Sequence, residues 1–469
     1  MAASASSGTV DVVPVIENQR TGRFWAGLLV LCWLITFIDG FDFQVISFAA
    51  RYIKRAVHLT DTQLGTLGSV GLVGTLIGGL TLGFIGDRIG RRPSIIAGVA
   101  GFGVFMILFS LGRDYTQLLV LRFISGLFLG GVLPLTWALV TEFSPTRLRS
   151  TSVVVIMIGY SLGAAAGGPL SNLLIPGHGW QSVYLTGGVI SLGILIPVVP
   201  LLPESVKFLA QKGLRPERTA AILRRVEPGA VFSPDAHFVV GSTHVDRGQF
   251  TPLDLFRGRL AQITPLIWVA YICSSAVIYF LAFWGPILNE RFGFSVSAAA
   301  TIAAVMAVAG CVGQLLIGRF VDTRGAVTLA AMPLIALPLL LVIGLTPITP
   351  TIYLVVLFAG HICITGGHGG MHSISGIFYR PGIRANGAAW ATSIAKLGAM
   401  LGPWLAGVVM DATHAARPTF YVFAVFPLVM GVLLFVLGRV QRRLPADADG
   451  ALVPEGADEA AAVPIQPAR

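Results

Sequence analysis

Long apolar stretches alternate with short polar connections along the chain, and this pattern predicts its architecture. Runs of about 20 apolar residues, long enough to cross a bilayer as a helix, occur in two groups of six. The first group covers 24–46, 62–84, 94–112, 116–138, 151–174 and 181–202, and the second covers 260–283, 297–317, 326–345, 350–372, 387–410 and 418–438. We therefore expect an all-α membrane protein with twelve transmembrane helices in two six-helix halves.

The polar segments divide the chain into five predicted regions. These are an N-terminal tail (1–23), an N-terminal half (24–202), a central loop (203–259), a C-terminal half (260–440) and a tail (441–469). The first tail lacks the short apolar core and cleavage site of a signal peptide, so the first span is expected to remain uncleaved. The last tail is rich in Ala, Pro, Asp and Glu, a composition typical of disorder.

Composition and charge agree with a membrane protein and orient it. Only 12% of the residues are charged, about half of what a soluble domain carries. Of the 32 Lys and Arg residues, 24 fall in the termini and every second loop. The side richer in Lys and Arg is the cytoplasmic one, so both termini are predicted to be cytoplasmic. The net charge of +10 therefore reflects orientation in the lipid bilayer and does not indicate nucleic-acid binding.

Two carboxylates interrupt the first apolar run. Asp39 and Asp42 are three residues apart, so a helix places them on one face. A carboxylate in the hydrocarbon layer costs about 2.5–3.5 kcal/mol on insertion scales, so the pair is expected to face a cavity or a partner. We interpret both as proton-coupling residues, with the deeper Asp39 as the first candidate. The alternative is that Asp42 is simply hydrated near the end of its helix.

A glycine-rich motif connects the second and third spans. It reads Gly83-Phe-Ile-Gly-Asp87-Arg88-Ile-Gly90-Arg91-Arg-Pro, and its glycines permit a tight turn. Asp87 is placed to cap the next helix or to pair with a nearby Arg.

The same frame returns in the second half of the chain, which indicates an internal repeat. One constant offset pairs Gly83 with Gly318, Asp87 with Asp322, Arg149 with Arg384 and Gly163 with Gly398. Matches at one offset across loops and spans predict two halves related as repeats, an architecture typical of transporters. The relation is chemically asymmetric, since the position that corresponds to Asp39 is Ser274.

These features resemble the major facilitator superfamily over about residues 24–440. Within it, Asp39-Gly-Phe-Asp42, Arg122 in span four and Pro203-Glu204-Ser205 look like the aromatic acid:proton symporters. The resemblance implies the major facilitator fold and a place in the bacterial inner membrane. It also implies uptake of a benzoate-like or hydroxybenzoate-like anion together with protons.

Two cations within spans are candidates for binding the anion. Arg122 shares a helical stripe with Gly126 and Gly130, and a guanidinium can hold a carboxylate through two hydrogen bonds. The alternative is that Arg122 extends back to the outer interface. Lys396 lies in the middle of its span, where it needs a counter-charge or an anionic ligand.

Aromatic and histidine side chains complete the predicted binding residues. Phe41 and Trp390 are candidates for stacking on the ring of the substrate. His361 and His368 share one helical face and are expected to line a cavity, with simple packing as the alternative for His361. A metal site is disfavoured because no Cys or carboxylate accompanies them on that face.

A second group of charges is predicted to form a cytoplasmic gate. Glu142 is about 30 Å along the helix from Arg122, so it is too distant to contact it. We expect Glu142 to associate with Arg147, Arg149 and the Asp87 loop on the cytoplasmic side. The repeat adds Asp322 and Arg384 to this group.

Together these observations predict proton-coupled uptake of an aromatic carboxylate by alternating access. The alternatives are a drug/proton antiporter, a symporter for another small organic acid or polyol, or a membrane-embedded sensor. An enzyme is disfavoured, because no nucleophile–base pair, metal cluster or phosphate-binding loop is recognisable. We expect no cofactor, and we expect the protein to function as a monomer.

Overall fold

A computed structural model of the chain describes residues 9–19, 21–233, 236–241, 251–324, 326–379 and 381–443. The molecule divides into two compact units. The first comprises Met1–Leu59 and Val70–His244, and the second comprises Thr60–Ser69 and Val245–Arg469.

The first half of the chain forms most of the first unit and consists of helices, most of them long and apolar. They are α1 (Val12–Glu17), α2 (Arg23–Val57), α3 (Asp61–Ile89), α4 (Arg91–Ser110), α5 (Tyr115–Leu129), α6 (Val132–Glu142), α7 (Arg149–His178) and α8 (Gln181–Leu201), with a 3-10 turn at Thr146–Leu148. Helices α5 and α6 together make one candidate span, interrupted at the glycine pair Gly130-Gly131.

The segment after α8 folds onto the N-terminal residues within the first unit. It contains α9 (Val206–Gln211) and α10 (Pro216–Val226), and a strand β2 (His237–Val239) that pairs in parallel with β1 (Thr9–Asp11). The Asp11 carboxylate accepts a hydrogen bond from the Gly241 amide at 2.8 Å. The apolar face of α10 is buried, and α10 packs against α9 and α1. The prediction of an all-α chain is therefore corrected to a mostly helical one that includes a small parallel sheet.

The second half of the chain is also helical. After a 3-10 turn at Pro252–Phe256, it forms α11 (Leu260–Arg291), α12 (Val296–Arg324), α13 (Ala326–Leu329), α14 (Ala331–Leu345), α15 (Pro350–Phe378), α16 (Pro381–Thr413), α17 (Arg417–Phe423) and α18 (Val425–Arg443). A cluster of buried apolar side chains from α11, α15, α16 and α18 forms a hydrophobic core here.

The start of α3 groups with this second unit, and polar contacts explain why. The Asp411 carboxylate on α16 accepts hydrogen bonds from the backbone amides of Asp61 and Thr62, at 2.8 and 2.6 Å. Arg291 on α11 forms an ion pair with Asp61 at 3.0 Å. Because the first amides of a helix lack partners within the helix, Asp411 caps α3 together with the local residue Thr60, whose Oγ1 accepts a hydrogen bond from the Gln63 amide at 3.1 Å.

Eleven helices in the described part of the chain are long and apolar enough to cross a membrane. The predicted span at 297–317 falls in the 29-residue helix α12, several of whose side chains are not described. Cys311, Gly318 and Asp322 are among the residues of α12 whose surroundings are not described. The tail predicted to be disordered, 441–469, lies outside the described residues from 444 onward.

One helix crossing occurs in both units and supports the internal repeat. In the first unit α7 crosses α2 so closely that a Cβ added to Gly163 would overlap the Phe37 carbonyl. In the second unit α16 crosses α11, and a Cβ added to Gly398 would overlap the Ile272 carbonyl. The offset of the sequence repeat relates the two glycines to each other, and it relates the two carbonyls in the same way. Small residues let helix backbones approach in this way within a membrane.

Candidate functional site

Two buried charges of the first unit form an ion pair. Arg122 of α5 donates a hydrogen bond from Nη1 to Asp42 Oδ1 at 2.6 Å, and its Nη2 lies 3.5 Å from the Asp42 carbonyl oxygen. Arg122 is 8% exposed and Asp42 is 4% exposed. Hydrogen bonds between ionised partners are roughly twice as strong as neutral ones, so the pair compensates two charges that would otherwise be costly to bury.

The two alternatives raised from the sequence, hydration of Asp42 at a helix end and extension of Arg122 to the outer interface, are therefore wrong. Asp42 is not hydrated at a helix end, because it lies inside α2 and contacts a guanidinium. Arg122 does not extend to the outer interface, because its side chain turns inward to α2. Asp39 is also buried, at 9% exposure, one turn earlier on α2.

Neighbouring helices leave space for the Arg122 side chain. A Cβ added to Gly71 of α3 would lie 2.9 Å from Arg122 Nε, so the guanidinium stem packs directly against the backbone of α3. Tyr184 of α8 is fully buried and interacts electrostatically with both Arg122 and Asp42. Its hydroxyl has no hydrogen-bond partner among the described residues. Tyr184 was missed by sequence reasoning, because a single Tyr in an apolar run carries no local signal.

The two aromatic candidates have different surroundings. Phe41 is 3% exposed and packs in the interior of the first unit, where a Cβ added to Gly187 would lie 2.7 Å from its ring. Trp390 is 38% exposed, and its ring stacks on Trp268 with the centroids 6.1 Å apart. Of the two, only Trp390 presents much of its ring surface.

In the second unit, one stripe of α11 meets the predicted histidine. Ser274 Oγ hydrogen-bonds His368 Nδ1 of α15 at 2.8 Å. The Tyr271 ring meets the same imidazole edge-on, with the centroids 6.2 Å apart. Trp268, Tyr271 and Ser274 follow one another at a spacing of three residues, which places them along one helical face. Lys396 of α16 is partly exposed.

His361 is placed differently from His368. A Cβ added to Gly310 of α12 would lie 3.4 Å from His361 Nε2. Its Nδ1 atom is buried and has no hydrogen-bond partner among the described residues. His361 therefore packs towards α12, whereas His368 joins the aromatic stripe of α11. Within the described residues there is no group of three His, Cys, Asp or Glu side chains suited to a metal ion.

A second polar cluster lies where α4 begins. The Glu204 carboxylate accepts hydrogen bonds from the backbone amides of Arg91 and Arg92, at 2.8 and 3.2 Å, and so caps α4. The Arg91 side chain forms an ion pair with Glu142 and donates to Ser205 Oγ at 2.6 Å. Ser205 in turn donates to Glu142.

This cluster corrects part of the predicted grouping of the gate residues. Glu142 pairs with Arg91, which belongs to the Asp87 loop, but not with Arg149, which instead forms an ion pair with Glu17 at 3.0 Å. The α4 cap is supplied by Glu204, and the exposed Asp87 does not fill that role. Sequence reasoning noted Glu204 only as part of a motif, because its contact with Arg91 joins positions that are far apart in the chain.

The remaining charged gate candidates are either exposed or have side chains that the structure does not describe. The Arg88 guanidinium lies over the Phe84 ring, 4.1 Å from its centroid. Arg384 Nε donates to the Tyr379 carbonyl oxygen at 3.3 Å, within α16 and the preceding connection. The Asp322 side chain is not among those that the structure describes.

The fold and the site define a polytopic membrane transporter. Its apolar helices are long enough to span a bilayer, one helix crossing recurs at a fixed offset, and an ion pair is buried among the helices. The Major Facilitator Superfamily model matches residues 32–379, so the chain belongs to that family. This confirms the resemblance drawn from the sequence. The family consists of membrane transporters rather than enzymes, and the chain is a multi-pass protein of the bacterial inner membrane.

Several relatives are transporters of aromatic acids. The chain is 32% identical to a gallate transporter of Pseudomonas putida over 403 residues, covering 86% of this chain and 89% of the relative. It is 31% identical to the 4-hydroxybenzoate transporter PcaK of Acinetobacter baylyi, covering 86% and 88%. A benzoate transport protein of Acinetobacter baylyi is 27% identical, covering 92% and 93%.

Solved structures show the same fold. A bacterial homologue of the human lysosomal transporter Spinster superimposes with a TM-score of 0.72 at 17% identity, covering 90% of this chain and 98% of that one. A D-xylose-proton symporter superimposes with a TM-score of 0.68 at 16% identity, covering 91% and 99%. At this level of identity the likeness concerns the fold alone.

Proposed function

We propose that this protein imports a small aromatic carboxylate together with a proton, by alternating access. The observation that carries the proposal is the buried Asp42–Arg122 ion pair, at 2.6 Å in the first unit. The transport of gallate, 4-hydroxybenzoate and benzoate by relatives supports the choice of substrate class.

The ion pair suggests how proton and anion are coupled. While Asp42 is ionised, it occupies the guanidinium that a substrate carboxylate would bind. A proton on Asp42 removes this competitor, and Arg122 is then available to hold the substrate through hydrogen bonds to its carboxylate. One proton and one anion thus enter together, and the net charge of the site is the same before and after binding. Asp39, one turn away on α2, is the carboxyl that we expect to exchange the proton with solvent.

Coupling of this kind meets an energetic need. Carrying a monoanion into a negatively charged cell costs about 2.3 kcal/mol per 100 mV, which is more than tenfold in concentration. Co-transport of one proton cancels that charge, so the pH gradient can drive accumulation.

The test is uptake of radiolabelled acids into proteoliposomes that contain the purified full chain. We expect 4-hydroxybenzoate or a related benzoate to accumulate when the interior is alkaline, and a protonophore to abolish accumulation. Asp42→Asn should lose accumulation but retain exchange of external for internal substrate, since Asn mimics the protonated residue. Accumulation by wild-type protein that is unaffected by the protonophore would overturn proton coupling.

Asp114→Asn is the matched control. Asp114 is exposed and caps α5 by accepting a hydrogen bond from the Gln117 amide at 2.9 Å. Asn caps helices about as well as Asp, so this variant removes a carboxylate from the same half of the chain with little structural cost. It should transport like the wild type.

A further inference from the structure

Tyr184 holds an unused hydrogen-bonding group inside the first unit. Its side chain is fully buried on α8, and no group in the described ranges of the chain pairs with the phenolic hydroxyl. A buried hydroxyl without a partner destabilises a fold, because it has lost its hydrogen bonds to water and gained none in return. Its retention therefore points to a partner that is not part of the chain itself.

Aromatic contacts hold the Tyr184 ring in place. The ring of Phe109, at the end of α4, packs with its centroid 4.5 Å from that of Tyr184. The Trp180 ring, one turn earlier than Tyr184, meets it edge-on with the centroids 5.9 Å apart. A ring packed by two others has little freedom to carry its oxygen to a new partner. The hydroxyl is thus pre-organised where it lies.

This hydroxyl belongs to the surroundings of the buried ion pair. Tyr184 is close enough to interact electrostatically with both Arg122 and Asp42. The hydrogen-bonding capacity of Arg122 is itself only partly used. Its Nη1 donates to Asp42 Oδ1, whereas its Nε is buried and pairs with none of the described groups. Two helices of the first unit, α5 and α8, thus each keep an unpaired donor near one buried carboxylate.

These donors suit an anion with more than one acceptor oxygen. An ionised carboxylate has two oxygens and about four lone-pair sites, so a guanidinium and a hydroxyl can donate to it together. Once a proton on Asp42 releases Arg122, a carboxylate that takes the place of Asp42 meets both donors. All of the side chains involved lie within the first unit.

We propose that Tyr184 donates a hydrogen bond to the carboxylate of the transported acid while Arg122 pairs with the same group. This inference rests on the proposed function and adds a second binding residue to its anion site. Because the hydroxyl makes no hydrogen bond within the described fold, it contributes to substrate affinity rather than to stability. Benzoate and 4-hydroxybenzoate share the carboxylate, so the contact favours both acids by the same factor.

The test is Tyr184→Phe, which removes the hydroxyl and keeps the ring. In proteoliposomes that contain the full chain, KM for exchange of external for internal acid should rise about 10- to 100-fold, as expected for a lost hydrogen bond to a charged group. The factor should be the same for benzoate and 4-hydroxybenzoate. The melting temperature of the purified variant, measured without added acid, should equal or exceed the wild-type value.

Tyr353→Phe is the matched control, because it removes a buried hydroxyl that does have a partner. Tyr353 is fully buried on α15 and donates to Asn289 Oδ1 at 2.8 Å. The variant leaves that amide oxygen unpaired, so its melting temperature should fall while both KM values stay within about twofold of the wild type. The same chemical change is therefore expected to have opposite consequences at the two tyrosines.

The outcomes separate this inference from the function on which it rests. Wild-type protein that transports neither acid would overturn both. If the wild type transports the acids with proton dependence while Tyr184→Phe keeps the wild-type KM, or changes it for only one acid, the contact with the carboxylate alone is overturned. A melting temperature of Tyr184→Phe below that of the wild type would assign the hydroxyl a structural role and would also overturn the contact.

Discussion

The two units treat the same helix crossing in chemically different ways. In the first, α2 carries buried carboxylates near the crossing, and Asp42 forms an ion pair with the Arg122 guanidinium at 2.6 Å. In the second, α11 carries Ser274 at the position that corresponds to Asp39, and the Ser274 hydroxyl hydrogen-bonds the His368 imidazole at 2.8 Å. A buried charge must be compensated or neutralised, whereas a buried hydroxyl needs only one partner. The two units therefore place different chemistry at positions that the repeat relates.

The largest expected effect comes from removing the charge of Asp39. Asp39→Asn preserves shape but cannot bind and release a proton, so proton-driven accumulation should fall at least about 100-fold. The measurement is uphill uptake in proteoliposomes, with exchange of internal and external substrate as the control for folding and binding. Uphill uptake at the wild-type level would exclude Asp39 from proton coupling.

Removing one partner of the ion pair should have the next largest effect, which is a loss of stability. Arg122→Ala leaves Asp42 buried without its cation, and we expect a loss of about 3–5 kcal/mol in the free energy of unfolding. Thermal unfolding of the purified protein in detergent would measure it. The double variant Arg122→Ala, Asp42→Ala should be more stable than Arg122→Ala alone. If the two substitutions are simply additive, the pair is not energetically coupled.

A smaller effect is expected at the candidate cation of the second unit. Lys396→Ala should weaken apparent substrate affinity about tenfold, since a carboxylate loses one charged hydrogen-bond donor. The amount of protein in the membrane should change little. Competition of unlabelled acid against radiolabelled uptake provides the affinity. An unchanged value would assign anion binding to Arg122 without help from Lys396.

The smallest effect concerns the cluster where α4 begins, which has no counterpart described in the second unit. Gly90 has φ of +110°, and a Cβ there would overlap the Glu204 carboxylate that caps α4. Gly90→Ala should therefore lower the free energy of unfolding by about 1–3 kcal/mol. Gly83→Ala is the control from the same motif, since Gly83 is helical and has open space around its Cα. Equal melting temperatures for the two variants would contradict this account.

Sequence reasoning identified the charged part of the site more successfully than the neutral part. Asp39, Asp42 and Arg122 were recognisable because an ionised group in an apolar run is costly and therefore conspicuous. The sequence offered Arg122 and Lys396 as possible counter-charges, and it could not select Arg122 for Asp42 because the two residues are 80 positions apart. Tyr184 and the Ser274–His368 hydrogen bond were missed because neutral groups fit an apolar helix without any local signal.

The gate shows a different limit of sequence reasoning. The sequence grouped Glu142 with the Asp87 loop, which contains Arg91, and also with Arg149. The structure pairs Arg91 with Glu142 and gives Arg149 to Glu17. The small sheet was also unexpected, since two short strands that lie far apart in the chain leave no periodic pattern.

The sequence by itself determined that this chain spans a membrane many times and that its halves are repeats. Span length and hydropathy are properties of one segment at a time, because the bilayer requires each helix to satisfy its own backbone. Tertiary structure alone decided which charges meet, which helix end Glu204 caps and which histidine joins the aromatic stripe. Those contacts form between helices distant in the chain, and their geometry depends on packing that no single segment encodes.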